Sequence, residues 1–236
     1  MIAGQKMYII TSPKDISSVY KNPQVLTFDG FIKDVYVNFG MSSTGVAQIF
    51  EPVTFKDGKT SSPLGQQYAH LATGIQREQL HPGENLDNLI ETYLTYIEQQ
   101  MDWDKLPDSC IMQSLPGKKV VSLRNWCADV LGRATAQAFI GAALLEVDPH
   151  LLEDFHTFDS NSWMLLYQYP RIFAKPMFEA IERNTQAFTR YFQLPVEKRD
   201  QMCHYIKTVE GKQRKAGMSD RDIAISAQCF FWAYVM

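Results

Sequence analysis

From residue 64 onward the apolar residues of this chain recur at helical spacing, whereas earlier they settle into no single period. Leu86, Leu89, Ile90, Tyr93, Leu94, Ile97 and Met101 fall at i, i+3, i+4, i+7 and i+8, the repeat that lays one stripe along an α-helix. Pro82-Gly83 separates this predicted helix from a helical stretch over residues 64–80. Residues 107–117 read as a loop, and Lys118, Lys119, Val120 and Val121 as a short strand. Ser122 is placed to cap the next helix, whose apolar positions are Leu123, Trp126, Cys127, Val130, Leu131, Ala134 and Ala138, with Gly141 at its end. Asp148-Pro149 opens another helix, which carries Leu151, Leu152, Phe155, Phe158, Leu165 and Leu166 as far as Pro170. Phe178, Ile181, Thr185, Phe188 and Phe192 mark a helix between Pro176 and Pro195, and a polar helix follows to about residue 210. Lys212-Gln213-Arg214-Lys215 reads as a solvated basic turn. Ser219 opens the last helix, with Asp222 as its capping-box partner and a stripe of Ile223, Ala227, Phe230, Phe231 and Tyr234. No charged residue occurs from Ile223 to Met236; a helix apolar all round sits at the centre of a large fold or in a membrane.

The start of the chain reads differently. Lys6 to Thr11 forms a strand-like run ended by Ser12-Pro13, and residues 14–21 form a short helix with Ile16, Val19 and Tyr20 on one side. Residues 22–62 are expected to be irregular, because Gly, Ser, Thr and Pro interrupt the pattern. That stretch still holds Phe28, Phe31, Tyr36, Phe39, Phe50 and Phe55. Aromatics at such density belong to a segment that packs onto its own core or onto a ligand. The expected fold class is mainly α with a small β portion. The last helix, apolar and without a terminal cap, is expected to be a buried helix cut part-way, which makes residues 1–236 a single partial domain.

Composition narrows the function classes. Lys+Arg number 23 against 26 Asp+Glu, a formal charge of −3, which lacks the basic excess of a nucleic-acid binder. Hydrophobic residues at 45% and charged residues at 21% exclude disorder as the dominant state. The four cysteines show no CxxC spacing and read as reduced thiols. The longest wholly apolar run, Cys229 to Met236, falls well short of the about 20 residues of a membrane-spanning helix.

No local catalytic signature appears. The five histidines form neither HxxxH nor HExxH, so no metal site is expected. The phosphate-cradling loops GxGxxG and GxxxxGK[ST] are absent, as is the GxSxG elbow. Glu98, Glu146 and Asp154 read as solvated helix residues.

The order of elements is more informative. A strand leads to the helix Pro13-Lys14-Asp15-Ile16-Ser17-Ser18-Val19-Tyr20, then to the aromatic stretch Leu26-Thr27-Phe28-Asp29-Gly30-Phe31, then to several helices and an apolar helix opened by Ser219-Asp220-Arg221-Asp222-Ile223-Ala224. This order resembles the N-terminal half of the cytochrome P-450 (haem-thiolate) fold, as far as the start of its long central helix. It is most similar to fungal members near the branch of sterol and bile-acid hydroxylases and prostacyclin synthase. The family's FxxGxxxCxG loop, ExxR pair and WxxxR helix are not present in these residues.

The resemblance implies a parent oxidoreductase, a monooxygenase with haem as cofactor whose axial cysteine is not in this chain. It also implies a small apolar, lipid-like or secondary-metabolite substrate and an NADPH-dependent reductase partner. The parent's location would be the cytosolic face of the endoplasmic reticulum, through a membrane anchor not found here. Arg77 and His81 become candidates for haem propionate contacts. Phe28, Phe31, Phe39, Trp163, Leu166, Phe230 and Phe231 become candidates for the substrate pocket. The alternative is a complete, cofactor-free helical module that binds an apolar ligand or partner.

Overall fold

The computed structural model describes residues 9–22, 29–50, 68–167, 169–199 and 201–235. Among them are twelve α-helices and one two-stranded sheet, a mainly α fold with a small β portion. The first helices are α1 (Pro13–Tyr20), α2 (Asp29–Asn38), α3 (Ser43–Phe50), α4 (Tyr68–Leu80) and α5 (Glu84–Gln100). The hairpin β1 (Ile111–Leu115) and β2 (Lys118–Val121) is antiparallel. It is followed by α6 (Leu123–Phe139), α7 (Ala143–Val147), α8 (Leu151–Asp159) and α9 (Ser162–Leu166), then by α10 (Lys175–Gln193), α11 (His204–Ala216) and α12 (Asp220–Val235).

The stretch expected to be irregular is in part helical. Ile32, Val35, Tyr36 and Phe39 stand at i, i+3, i+4 and i+7, and they build α2. The glycines and serines that disguised this period act at helix ends. Gly40, at φ 87°, turns the chain out of α2 while Met41 N–H donates to Tyr36 O at 3.0 Å. Ser42 Oγ accepts from Gly45 N–H at 2.9 Å and so caps α3.

Other expectations also need correction. Residues 9–12 carry no regular structure, and the rest of the predicted first strand lies outside the described residues. The predicted loop at 107–117 contains β1, whose partner is the predicted strand β2. The helix opened by Asp148-Pro149 ends at Asp159, and a separate turn of helix, α9, follows. The basic cluster belongs to the last turns of α11. There Arg214 pairs with Glu210 at 2.7 Å and Asp220 at 2.8 Å, and Gln213 is buried. Asp154 is held by Arg183 at 2.6 Å rather than by solvent alone. The seven-residue stripe of α5 packs on α6 with only Leu89 fully buried, while Ile90, Leu94 and Met101 are exposed.

The core lies around α10 and α12, which pack on each other, with α8 against α10 and its phenylalanines reaching α12. Phe155 meets Phe231 at 5.0 Å, Phe158 meets Trp232 at 5.1 Å, and Phe39 reaches Phe158 at 5.3 Å. These edge contacts suit the ring quadrupoles. Gln228, a polar residue inside the apolar helix, is satisfied by Thr185 at 2.7 Å and by Ile181 O at 3.2 Å.

Asp222 ties the front of the chain to the last helix. Its carboxylate accepts from Ser42 N–H at 2.8 Å, Ser42 Oγ at 2.8 Å and Ser219 Oγ at 2.7 Å. The approach is so close that a Cβ at Gly45 would stand 2.7 Å from Asp222 Cγ. Gly45 is therefore glycine for space rather than for backbone freedom.

Candidate functional site

The α12 stripe that faces α2 is not the one that enters the core. Ser226, Cys229, Phe230, Ala233 and Tyr234 stand at i, i+3, i+4, i+7 and i+8 on α12. Opposite them α2 offers Phe31, Ile32, Val35 and Tyr36. Gln76 from α4 and Tyr205 from α11 complete the wall, and Trp232 adds to it. Together they line an open-sided cavity of about 460 Å³, within the size range of small-molecule sites.

The wall is aromatic with a local set of polar groups. Tyr205 stacks on Phe230 with centroids 4.2 Å apart, and Phe230 meets Tyr234 at 4.4 Å. Gln76 Nε2 donates to the Tyr234 hydroxyl. Ser226 Oγ accepts from Gln213 Nε2 at 2.8 Å and faces the Tyr36 hydroxyl. Burial pushes the phenols of Tyr36, Tyr205 and Tyr234 above their ordinary range, and the Cys229 thiol well above its own. At neutral pH all four are protonated and uncharged. None of the lining residues carries a formal charge.

The structure places the predicted pocket residues in three environments. Phe31 and Phe230 line the cavity. Phe39 and Phe231 belong to the core and not to the cavity wall. Trp163 is 46% exposed and packs on Tyr169 at 5.7 Å, on the α9 side of the molecule. Phe28 and the side chain of Leu166 lie outside the described residues. Arg77 and His81 are exposed at and just beyond the end of α4, and neither is a cavity residue. Sequence reasoning assigned none of the other lining residues to a site, among them the polar Tyr36, Gln76, Tyr205, Ser226 and Tyr234. A signal for α12 was available, because its second i, i+3, i+4, i+7 series carries Ser and Tyr among apolar residues. None existed for Tyr205, which sits in a helix read as polar.

A haem-thiolate centre needs a cysteine thiolate as axial ligand. Burial raises the Cys110 thiol above its ordinary value and pushes Cys203 up to about 11, so both, like Cys229, stay protonated at neutral pH. Cys127 is half-buried on α6 and does not line the cavity. No group of three or more His, Cys, Asp or Glu is placed to hold a metal among the described residues. None of the four cysteines stands in an FxxGxxxCxG loop; what the cavity residues build is the wall of an apolar chamber. No helix among them is long and apolar enough to cross a membrane.

Comparison with known proteins agrees with an enzyme relation. Over 194 residues, 79% of this chain, the sequence is 29% identical to the cytochrome P450 monooxygenase poxD of Penicillium oxalicum. The match covers 35% of that protein, so the chain corresponds to about a third of its relative's length. No family model and no solved structure matches the chain. The comparison supports a distant similarity to cytochrome P450 monooxygenases.

Proposed function

We propose that this chain is the N-terminal portion of a haem-thiolate monooxygenase of the cytochrome P-450 type, and that its part in the enzyme is to wall an apolar substrate chamber. The observation that carries the reading is the uncharged aromatic cavity between α2, α4, α11 and α12. It lies in a chain that aligns over most of its length with one part of a P450 monooxygenase. The substrate is lipid-like or a secondary metabolite, because 460 Å³ of aromatic and aliphatic wall rewards apolar area and offers no ion partner. These residues alone hold no axial ligand, so the 236-residue chain is inactive by this reading.

The resemblance further gives the parent an NADPH-dependent reductase as electron donor and the cytosolic face of the endoplasmic reticulum as its location. On the same reading the parent belongs with fungal members near the branch of sterol and bile-acid hydroxylases and prostacyclin synthase.

The test is to sequence the natural transcript carrying these residues, express its product and record the reduced, CO-bound absorption spectrum. A thiolate-type haem band is expected, in a product that also contains ExxR and a CxG loop. A transcript product that binds no haem overturns the proposal and leaves a cofactor-free module for an apolar ligand.

A further inference from the structure

The hydrogen-bond pattern at the cavity wall goes beyond an apolar chamber, because it has a direction. Tyr234 accepts from Gln76 Nε2, so its own O–H is left to donate. Ser226 accepts from Gln213 Nε2 and hydrogen-bonds the Tyr36 hydroxyl, so it is already satisfied within the protein. The Tyr205 hydroxyl has no hydrogen-bond partner among the described residues, although the residue is only 8% exposed. Tyr36 and Tyr234 line the same cavity and are its electrostatic neighbours. A hydroxyl beside an apolar cavity and without a protein partner gains a bond from an acceptor that enters the cavity.

We infer that the cavity takes an uncharged, mainly apolar molecule carrying one neutral acceptor oxygen, such as a ketone, ester or ether, which receives the Tyr205 O–H bond. The inference rests on the reading of the cavity as a substrate site and adds the polarity of the ligand. Donors without a neighbouring cation select a neutral acceptor. A carboxylate or an ammonium would each surrender hydration without meeting a counter-charge. The hydrocarbon part of the ligand lies against Phe31, Ile32, Val35 and Phe230, and the oxygen against the phenols.

Three probes of similar shape separate the possibilities: 2-acetylnaphthalene, 2-ethylnaphthalene and 2-naphthoate. Each is measured by equilibrium dialysis against the chain at pH 7. One neutral hydrogen bond corresponds to about two- to tenfold in Kd. The ketone is therefore expected to bind about two- to tenfold tighter than the ethyl compound, with the carboxylate weakest. Tyr205→Phe keeps the ring that stacks on Phe230. It should bring the ketone and ethyl Kd values together while leaving the ethyl value unchanged. Tyr234→Phe, which also retains its ring, should reduce the preference by less. Far-UV circular dichroism checks that each variant keeps its helix content.

Equal affinity for ketone and hydrocarbon overturns the polarity assignment and leaves the chamber standing. Tightest binding of the carboxylate also overturns it, as does an undiminished ketone preference in Tyr205→Phe. Failure of all three probes to saturate overturns the ligand site itself. None of these outcomes depends on haem, so they remain separate from the spectral test of the enzyme reading.

Discussion

Replacing Glu210 by Gln should unfold the molecule more readily than most single changes, because it strands a buried guanidinium. Glu210 on α11 receives Arg199 through two bonds, Nη1 to Oε2 at 2.8 Å and Nη2 to Oε1 at 2.9 Å. The two side chains are 1% and 7% exposed. The Arg199 Nε donates to Leu194 O at 3.0 Å, and its guanidinium lies 5.4 Å from both the Tyr191 and Phe192 ring centres. Arg214 adds a third bond to Glu210 at 2.7 Å. Removing one partner of such a pair costs about 3–5 kcal/mol. Glutamine keeps the shape and one acceptor, so the lower end applies, about 3 kcal/mol. For a chain of this size each kcal/mol moves Tm by about 2–4 °C, so a fall of about 6–12 °C follows.

The double variant Arg199→Met/Glu210→Met removes both charges and refills the volume. It should be more stable than Glu210→Gln alone, because the desolvation cost disappears along with the attraction. Arg214 retains Asp220 and Phe192 O in that variant. Urea titrations followed by circular dichroism at several temperatures measure both effects. A cost below about 1 kcal/mol for Glu210→Gln would refute the reasoning, as would a double variant less stable than that single one.

Gly45→Ala should destabilise by about 1–3 kcal/mol, since its Cβ would press on an Asp222 carboxylate that Ser42 and Ser219 hold in place. Gly211→Ala in α11 meets nothing within 4 Å and should stabilise by about 0.5–1 kcal/mol; denaturant midpoints decide both. Burial pushes the Cys203 thiol from 9.0 to about 11, so the unfolded chain loses that proton first. Its contribution to stability is intact below pH 9 and is lost as pH rises toward 11; Cys203→Ala should flatten that alkaline slope in thermal melts. The His156 imidazole, desolvated with its Nε2 buried and unbonded, lies below its ordinary 6.5 despite the nearby Asp129 and Asp159, with Arg133 opposing protonation further. Its contribution is present above pH 6.5 and is lost as pH falls below that value. His156→Phe should therefore narrow the gap between urea midpoints at pH 7 and pH 5.

Helices α5, α6, α8, α10, α11 and α12 could be read from the chain because their signals are local, whereas the five-residue α7 and α9 were not separated out. A 3.6-residue period, a Ser cap such as Ser122 with its Asn125 N–H at 3.3 Å, and stops at Gly141 and Pro195 act within one or two turns. The same logic explains why α2 and α3 were hidden: glycines and serines at their ends look like breakers unless one knows that Ser42 caps α3 and that Gly45 makes room for Asp222. Arg214 was read as solvated and Asp222 only as a cap for its own helix, because their other partners, Phe192 and Ser42, lie 22 and 180 positions away.

The candidate site divides along the same line. An apolar last helix was legible, and so was an aromatic segment near the start of the chain. Which face of each helix meets the other was not. α12 has two usable stripes, and only the packing of α10 and α8 against one of them sends Phe231 into the core and turns Phe230 and Tyr234 to the cavity. A sequence period fixes which residues share a face. The choice of the face that is buried, and of the hydroxyls left beside an open space, depends on contacts between elements far apart in the chain.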